Sequence, residues 1–305
     1  MANKMRTCPI CNGTDYTILG KARYNSISEK FITADYRVVR CSQCTGYHVT
    51  PPITFTDEQW SALYHDEYFA GQSEWLLKKR SQELKQRLDF ALSLIDSDNE
   101  IHLLDIGTGE GRTLIEADRR GWKTTGIDVV DNRIADAKHE SIHFIKAKFL
   151  EYPLPLGAYD IIYLDSVLEH VLQPGEYIAR IKELLKPGGV LFIAVPNEDS
   201  LFNDIRKIAY RLTRQSEITE KIKPFDSPYH IIGFTEHSLN SIVHSHGLYL
   251  HTLRNIGRKM NFLGENIFSR MFWIKFLILF PIEILGQLIN RDEYFEAYVK
   301  KMDNN

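Results

Sequence analysis

Three groups of residues in this sequence combine side-chain type and spacing in ways suited to chemistry. The first is Leu103-Leu-Asp-Ile-Gly-Thr-Gly-Glu-Gly-Arg-Thr-Leu114, where an apolar run (Ile101, Leu103, Leu104, Ile106) breaks into Gly107, Gly109 and Gly111 before a helical pattern begins. Alternate glycines let the backbone turn sharply and come close to a ligand. The helix beyond then presents its free N–H groups and positive end to that ligand. Asp128 ends the next strand-like stretch, about 20 residues past the loop, where a carboxylate accepts hydrogen bonds from ribose hydroxyls. The dinucleotide fingerprint Gly-x-Gly-x-x-Gly is absent, and Asp105 stands where a pyrophosphate would make an acid unwelcome. The pair reads as a site for a nucleoside cofactor with a positively charged end.

The second group is Cys8-Pro-Ile-Cys11 and Cys41-Ser-Gln-Cys44. Each pair places two thiolates at a tight knuckle, and two knuckles supply four soft ligands, the set that suits tetrahedral structural zinc. Asn12-Gly13 and Thr45-Gly46 follow the pairs, where a knuckle needs positive φ. Four bound cysteines leave no open position for catalysis, so this metal is expected to hold a small ribbon together. The third group, Asp165, Glu169 and His170, follows the apolar stretch 159–164. Ligands in parallel sheets bind outside the carboxyl ends of the strands, so these residues fall on the rim of the same site.

The elements that position these residues alternate between strand and helix. Strands are expected at 36–41, 101–106, 121–128, 142–145, 159–164, 190–195, 247–253 and 294–299. Helices are expected at 75–95, after the glycine loop, at 132–138, 174–185 and 200–212, and after Thr235, which caps with help from Ser238.

The motif series Leu104-Asp105-Ile-Gly107-Thr-Gly109-Glu-Gly111, Gly126-Ile-Asp128, Tyr159-Asp160-Ile-Ile, Leu168-Glu169-His170-Val171, Leu185-Lys-Pro-Gly-Gly189 and Val195-Pro-Asn197 resembles the class I S-adenosylmethionine-dependent methyltransferases over residues 100–257. The resemblance implies an α/β fold: a Rossmann-like seven-stranded sheet with helices on both faces. Ahead of it come a zinc-ribbon module (1–52) and a helical connector or cap (53–97). The methyltransferase domain would span 98–305, with a cap insertion at 198–228 and an apolar helical insertion at 260–290.

It also implies S-adenosylmethionine as cofactor, held by Asp105, Gly107, Thr108, Gly109, Gly111, Asp128, Val129, Phe149, Leu150 and Asp165. Relatives with a similar ribbon act on sugars, and many carry a histidine at the position of His230. His230 is therefore the leading base candidate, with His170 and Glu169 beside it. His170 could equally serve a structural hydrogen bond, and Tyr64, Tyr68 and Phe69 either line the pocket or simply pack. The sequence departs from the family at Lys148, where an acid usually holds the adenine amino group; Glu151 could compensate. It departs again at Ser166, where quinone-pathway O-methyltransferases carry an additional metal-binding glutamate, so no catalytic metal is expected.

The bulk numbers narrow the partners. The 305 residues are 44% hydrophobic and 25% charged with a net charge of −3, an ordinary globular composition with no basic field to draw nucleic acid. A nucleic-acid methyltransferase would want a basic ribbon face and an Asp/Asn-Pro-Pro-Tyr motif after 159–164, where Asp165-Ser-Val-Leu stands. A non-catalytic scaffold would not need the intact glycine loop and Asp128. Small-molecule acceptors remain: sugar-containing, sugar-nucleotide, lipid-linked or otherwise hydrophobic, with O-methylation ahead of C- or N-methylation. The N-terminus lacks the apolar run of a signal peptide, which points to a reducing cytoplasm. The segment 271–289 is apolar but interrupted by Lys275, Pro281 and Glu283. It is read first as a helical pair that covers the pocket or dimerises, then as an interfacial helix on the inner membrane face, and last as a membrane span.

Overall fold

The computed structural model describes residues 7–63, 74–95, 100–212, 219, 221–257 and 267–302. Tyr64, Tyr68 and Phe69 lie outside the described residues. The cysteine-bearing stretch forms an antiparallel meander of β1 (Tyr16–Lys21), β2 (Arg37–Cys41) and β3 (Tyr47–Thr50). Two helices follow, α1 (Asp57–Leu63) and α2 (Glu74–Ser93).

The chain then alternates as its apolar pattern requires: β4 (His102–Ile106), α3 (Arg112–Arg119), β5 (Lys123–Asp128), β6 (Ile142–Lys146), β7 (Tyr159–Asp165), α4 (Pro174–Leu184), β8 (Leu185–Pro196), α5 (Leu201–Leu212), β9 (Ile232–Gly233), α6 (Glu236–Ser245), β10 (Leu248–Ile256), α7 (Arg270–Leu288) and β11 (Tyr294–Lys301). Seven of these strands make one sheet in the order β10-β11-β8-β7-β4-β5-β6. β4 to β8 run parallel, and β11 enters antiparallel between β8 and β10.

Side chains alternate across a strand, so a sheet covered on both faces needs apolar residues at successive positions. Leu104, Ile162, Leu191 and Ile193 pack on one face with Ile178 and Ile181 of α4 and Leu239, Ile242 and Val243 of α6. Leu103, Ile161, Val190 and Phe192 pack on the other with Leu84, Leu88 and Ala91 of α2 and Leu114 and Ala117 of α3. Helices on both faces follow directly. The stretch drawn as a connector at 53–97 thus contributes α2 to the sheet's own packing.

Two local expectations change. Residues 132–138 form only a short 3-10 turn at Ala135–Lys138, with Asp131 held by Arg133 at 2.9 Å ahead of it. The apolar segment is one continuous helix, α7, with Pro281 inside it, rather than a helical pair. By length and composition α7 could cross a membrane. The ribbon is not separate from the sheet. β9 adds to its edge, pairing Tyr47 with Gly233 and His48 with Ile232. The Thr45 and Thr235 hydroxyls meet at 2.7 Å, and Tyr47 donates to Asp199 at 2.5 Å. Thr235 also closes a capping box with Ser238 at the start of α6, a device worth ~1 kcal/mol.

Candidate functional site

The glycine loop leaves β4 at the carboxyl edge of the sheet. Gly107 (φ 74°) and Gly111 (φ 80°) are left-handed, and a Cβ at either would lie 2.5 Å from Val167 or Ala137, so bare backbone is required on both counts. Asp128, at the end of β5, accepts from the Gly109 N–H at 3.0 Å and from the Val130 N–H at 3.1 Å. Its carboxylate therefore shapes the loop and faces the same edge. Val129 beside it is exposed. Asp105 is buried, and burial, with Asp128 and Asp165 nearby, pushes its carboxyl well above the usual range. A cation at this edge would draw the proton off; an anion would not.

Asp165 ends β7. Arg87 of α2, itself buried, donates to Asp165 at 2.8 Å, to the Tyr163 hydroxyl at 3.2 Å and to Glu296 of β11 at 2.6 Å. Sequence reasoning missed Arg87. A lone arginine on a helix reads as a solvated charge, and its only signal was its place on the apolar stripe between Leu84 and Leu88.

Just past β7, Ser166 adopts φ 61°, which turns the chain so that Val167 covers Gly107 and a 3-10 turn, Leu168–His170, begins. The Ile231 N–H donates to the Glu169 carbonyl at 2.8 Å, and His170 Nδ1 lies 3.3 Å from the Tyr229 carbonyl. Tyr229 is also left-handed, at φ 63°. These bonds bring His230 across to the turn. The Nε2 atoms of His170 and His230 each lie 4.0 Å from Glu169 Oε1, and the two rings stand 5.0 Å apart, edge to face. Burial pushes the His170 imidazole down to about 4. Burial, with His170 and Lys223 adding to it, pushes His230 well below its ordinary value. Both rings are neutral at physiological pH, each with a lone pair fit to take a proton or hold a cation. The fold brings His230 to Glu169 and His170 as a third donor in the cluster.

His230 also lines a cavity of about 210 Å³ with Asn203 and Arg206 of α5, Glu198, Lys221, Lys223 and Tyr294. Burial raises the Glu198 carboxyl to about 7 despite Lys221 and Arg206. Lys221 donates to the Glu198 carbonyl and sits 3.6 Å from Asp199.

The remaining expected residues are placed as follows. Phe149 is buried under the turn after β6, its ring 5.0 Å from Tyr177. Leu150 is half-buried beside it. Lys148, where the family's acid was expected, is paired with Asp57 of α1 at 2.8 Å and with Glu151 at 3.7 Å. At the ribbon, Cys8 and Cys44 lie 3.6 Å apart, as do Cys11 and Cys41. Four sulfurs at ~2.3 Å from a tetrahedral zinc are separated by about 3.8 Å, so the cluster fits that ion. The knuckles turn at Asn12 (φ 61°) and Thr45 (φ 62°), one residue ahead of the glycines.

Residues 76–253, more than half of the chain, match a family described as a methyltransferase domain. The chain belongs to the methyltransferase-domain family. Among curated relatives, a ubiquinone biosynthesis O-methyltransferase of Sodalis glossinidius is 27% identical over 59% of this chain and 75% of its own length. One from Caulobacter vibrioides is 35% identical over 31% of this chain, and the match spans only 40% of that relative. The fold of this methyltransferase-domain chain is also that of solved structures. An S-adenosylmethionine-dependent methyltransferase of Archaeoglobus fulgidus aligns over 75% of this chain and all of its own, at TM-score 0.50 and 18% identity. A 1,6-didemethyltoxoflavin N1-methyltransferase of Burkholderia thailandensis, solved with 1,6-didemethyltoxoflavin and S-adenosylhomocysteine, aligns over 93% of this chain and all of its own, at TM-score 0.50 and 16% identity. The seven-strand order with β11 reversed belongs to the class I methyltransferase fold.

Proposed function

We propose that this protein is an S-adenosylmethionine-dependent methyltransferase of a small molecule, with a hydroxyl oxygen as the acceptor atom. The observation that carries this reading is the meeting, at one sheet edge, of the Gly107–Gly111 loop with Asp105 and Asp128 on one side and, on the other, two half-buried imidazoles whose charged form burial disfavours. S-adenosylmethionine, when bound, supplies a methyl group on a positively charged sulfur. Asp128 would accept the ribose hydroxyls, the loop N–H groups would hold the amino-acid end, and Asp105 would answer the cationic charge. His230 would take the proton of the acceptor hydroxyl, and Glu169 would steady the resulting imidazolium. Holding the two reactants in line can itself supply several kcal/mol of the catalysis.

The polar lining of the cavity, with Asn203, Arg206 and Lys223, supports a hydroxyl-rich acceptor such as a sugar or sugar nucleotide. The name shared by the curated relatives supports O-methylation. Zinc at Cys8, Cys11, Cys41 and Cys44 completes the reading, in the reducing compartment that free thiols require.

Calorimetry tests it. Asp128→Ala is expected to weaken S-adenosylmethionine binding about a hundredfold, the loss of two hydrogen bonds to a charged group at roughly 1.5 kcal/mol each. No binding by folded, zinc-loaded wild type would sink the reading in favour of a non-catalytic scaffold. Salt-sensitive binding to nucleic acid would favour a nucleic-acid substrate instead.

A further inference from the structure

α7 leaves its apolar side chains in solvent. Met271, Trp273, Ile274, Leu277, Ile278, Phe280, Ile284, Leu285 and Leu288 are all exposed, from 39% for Phe280 to 76% for Leu288. At ~100° per residue they span about half of the helix circumference. Phe272, Glu283 and Gly286 are buried against the body, with Lys275, Phe276, Leu279 and Ile282 half-buried around them. The one acid of the helix, Glu283, is buried against the Gly257 backbone. Exposed charge on the helix is therefore cationic, from Arg270, and neighbouring α5 adds Lys207 together with exposed Ile205 and Ile208. The acid of α5 beside them, Asp204, is paired with Arg291 at 2.7 Å.

We propose that α7, flanked by α5, is a membrane-surface helix that lies in the headgroup region of an anionic phospholipid bilayer. A solvent-facing apolar half, with Trp273 near its start and Arg270 ahead of it, suits the boundary between acyl chains and headgroups. Charge selects the occupant. Anionic headgroups complement Arg270 and Lys207, whereas a second copy docked through the same face would bring no exposed acid of α7 to pair with them. Topology excludes a span. β10 and β11 flank α7 and pair with each other from Leu248↔Lys301 to Ile256↔Tyr294. A single crossing would put two paired strands on opposite sides of the bilayer. The cavity bearing His230 draws Phe202, Asn203 and Arg206 from α5, so docking brings its wall to the lipid surface.

The test needs neither cofactor nor acceptor, so it stands apart from methyl transfer. The full zinc-loaded chain is floated with phosphatidylcholine vesicles and with vesicles that also contain phosphatidylglycerol. Association is expected with the second, about tenfold or more stronger than with the first at low salt, and released by high salt or alkaline wash without detergent. Leu277→Glu with Leu285→Glu should abolish it. Arg270→Glu with Lys207→Glu, which leaves the apolar face intact, should remove the preference for the anionic lipid. A soluble monomer that ignores both vesicles overturns the proposal. So does a dimer that the Leu277→Glu, Leu285→Glu pair dissolves, or membrane protein that only detergent extracts.

Discussion

His170 and His230 are separated by 59 intervening residues, yet the backbone bond of Ile231 to Glu169 and the bond of the His170 ring to the Tyr229 carbonyl place their rings 5.0 Å apart. Their depressed pKa values have a sign that stability measurements can read. An unfolded imidazole titrates near ~6.5; folded His170 titrates at about 4. The folded state therefore favours the neutral ring. Its contribution is fully present above the unfolded value and is lost as pH falls through the folded one. Urea unfolding of the wild type should lose ~3 kcal/mol more between those two pH values than His170→Gln does. In catalysis, His230 as base predicts that the acid limb of kcat/KM lies well below the ordinary imidazole range and disappears in His230→Gln. A limb near 7 that survives in His230→Gln but moves in Glu198→Gln would assign the proton to Glu198 instead.

α2 shows how an element ties the sheet to the site. Its apolar stripe covers one face, and Arg87 passes through that layer to Asp165 and Glu296, joining the end of β7 to β11. Arg87→Met keeps the volume but strands two carboxylates, and it should cost ~3 kcal/mol or more in urea unfolding. Equal stability would show the network to be dispensable. The strands and layer helices were legible because buried parallel strands leave continuous apolar runs, as at 101–106 and 190–195. The glycine loop and the four cysteines were legible because they depend on residue type. Arg87, the fourth ribbon strand at Ile232–Gly233 and the turns at Ser166 and Tyr229 were not. Each takes its meaning from a partner distant in the chain, and none of these residue types advertises a left-handed φ. The roles proposed for the expected cofactor residues rest on where those side chains lie, and the calorimetry above is their test. The helical pair expected in the apolar segment 271–289 is instead one helix, because the chain stays helical through Pro281.

At the scale of the molecule, one hydrophobic cluster runs from Cys8, Ile10 and Cys44 in the ribbon to Leu104, Ile162 and Leu239 in the sheet. Removing zinc with a chelator should therefore lower a single calorimetric transition rather than split it in two. It should also depress acceptor turnover more than cofactor binding, because β9, anchored on β3, follows His230 by only one residue. A separate low-temperature transition would make the ribbon an independent unit. The hairpin of β10 and β11 carries a different implication. Residues 257–293 begin and end beside the Ile256↔Tyr294 pair, so the excursion containing α7 leaves and rejoins the sheet at two adjacent points. A gene could lengthen, shorten or exchange that excursion without disturbing a strand, letting descendants of one catalyst be readdressed within the cell while their chemistry is inherited unchanged.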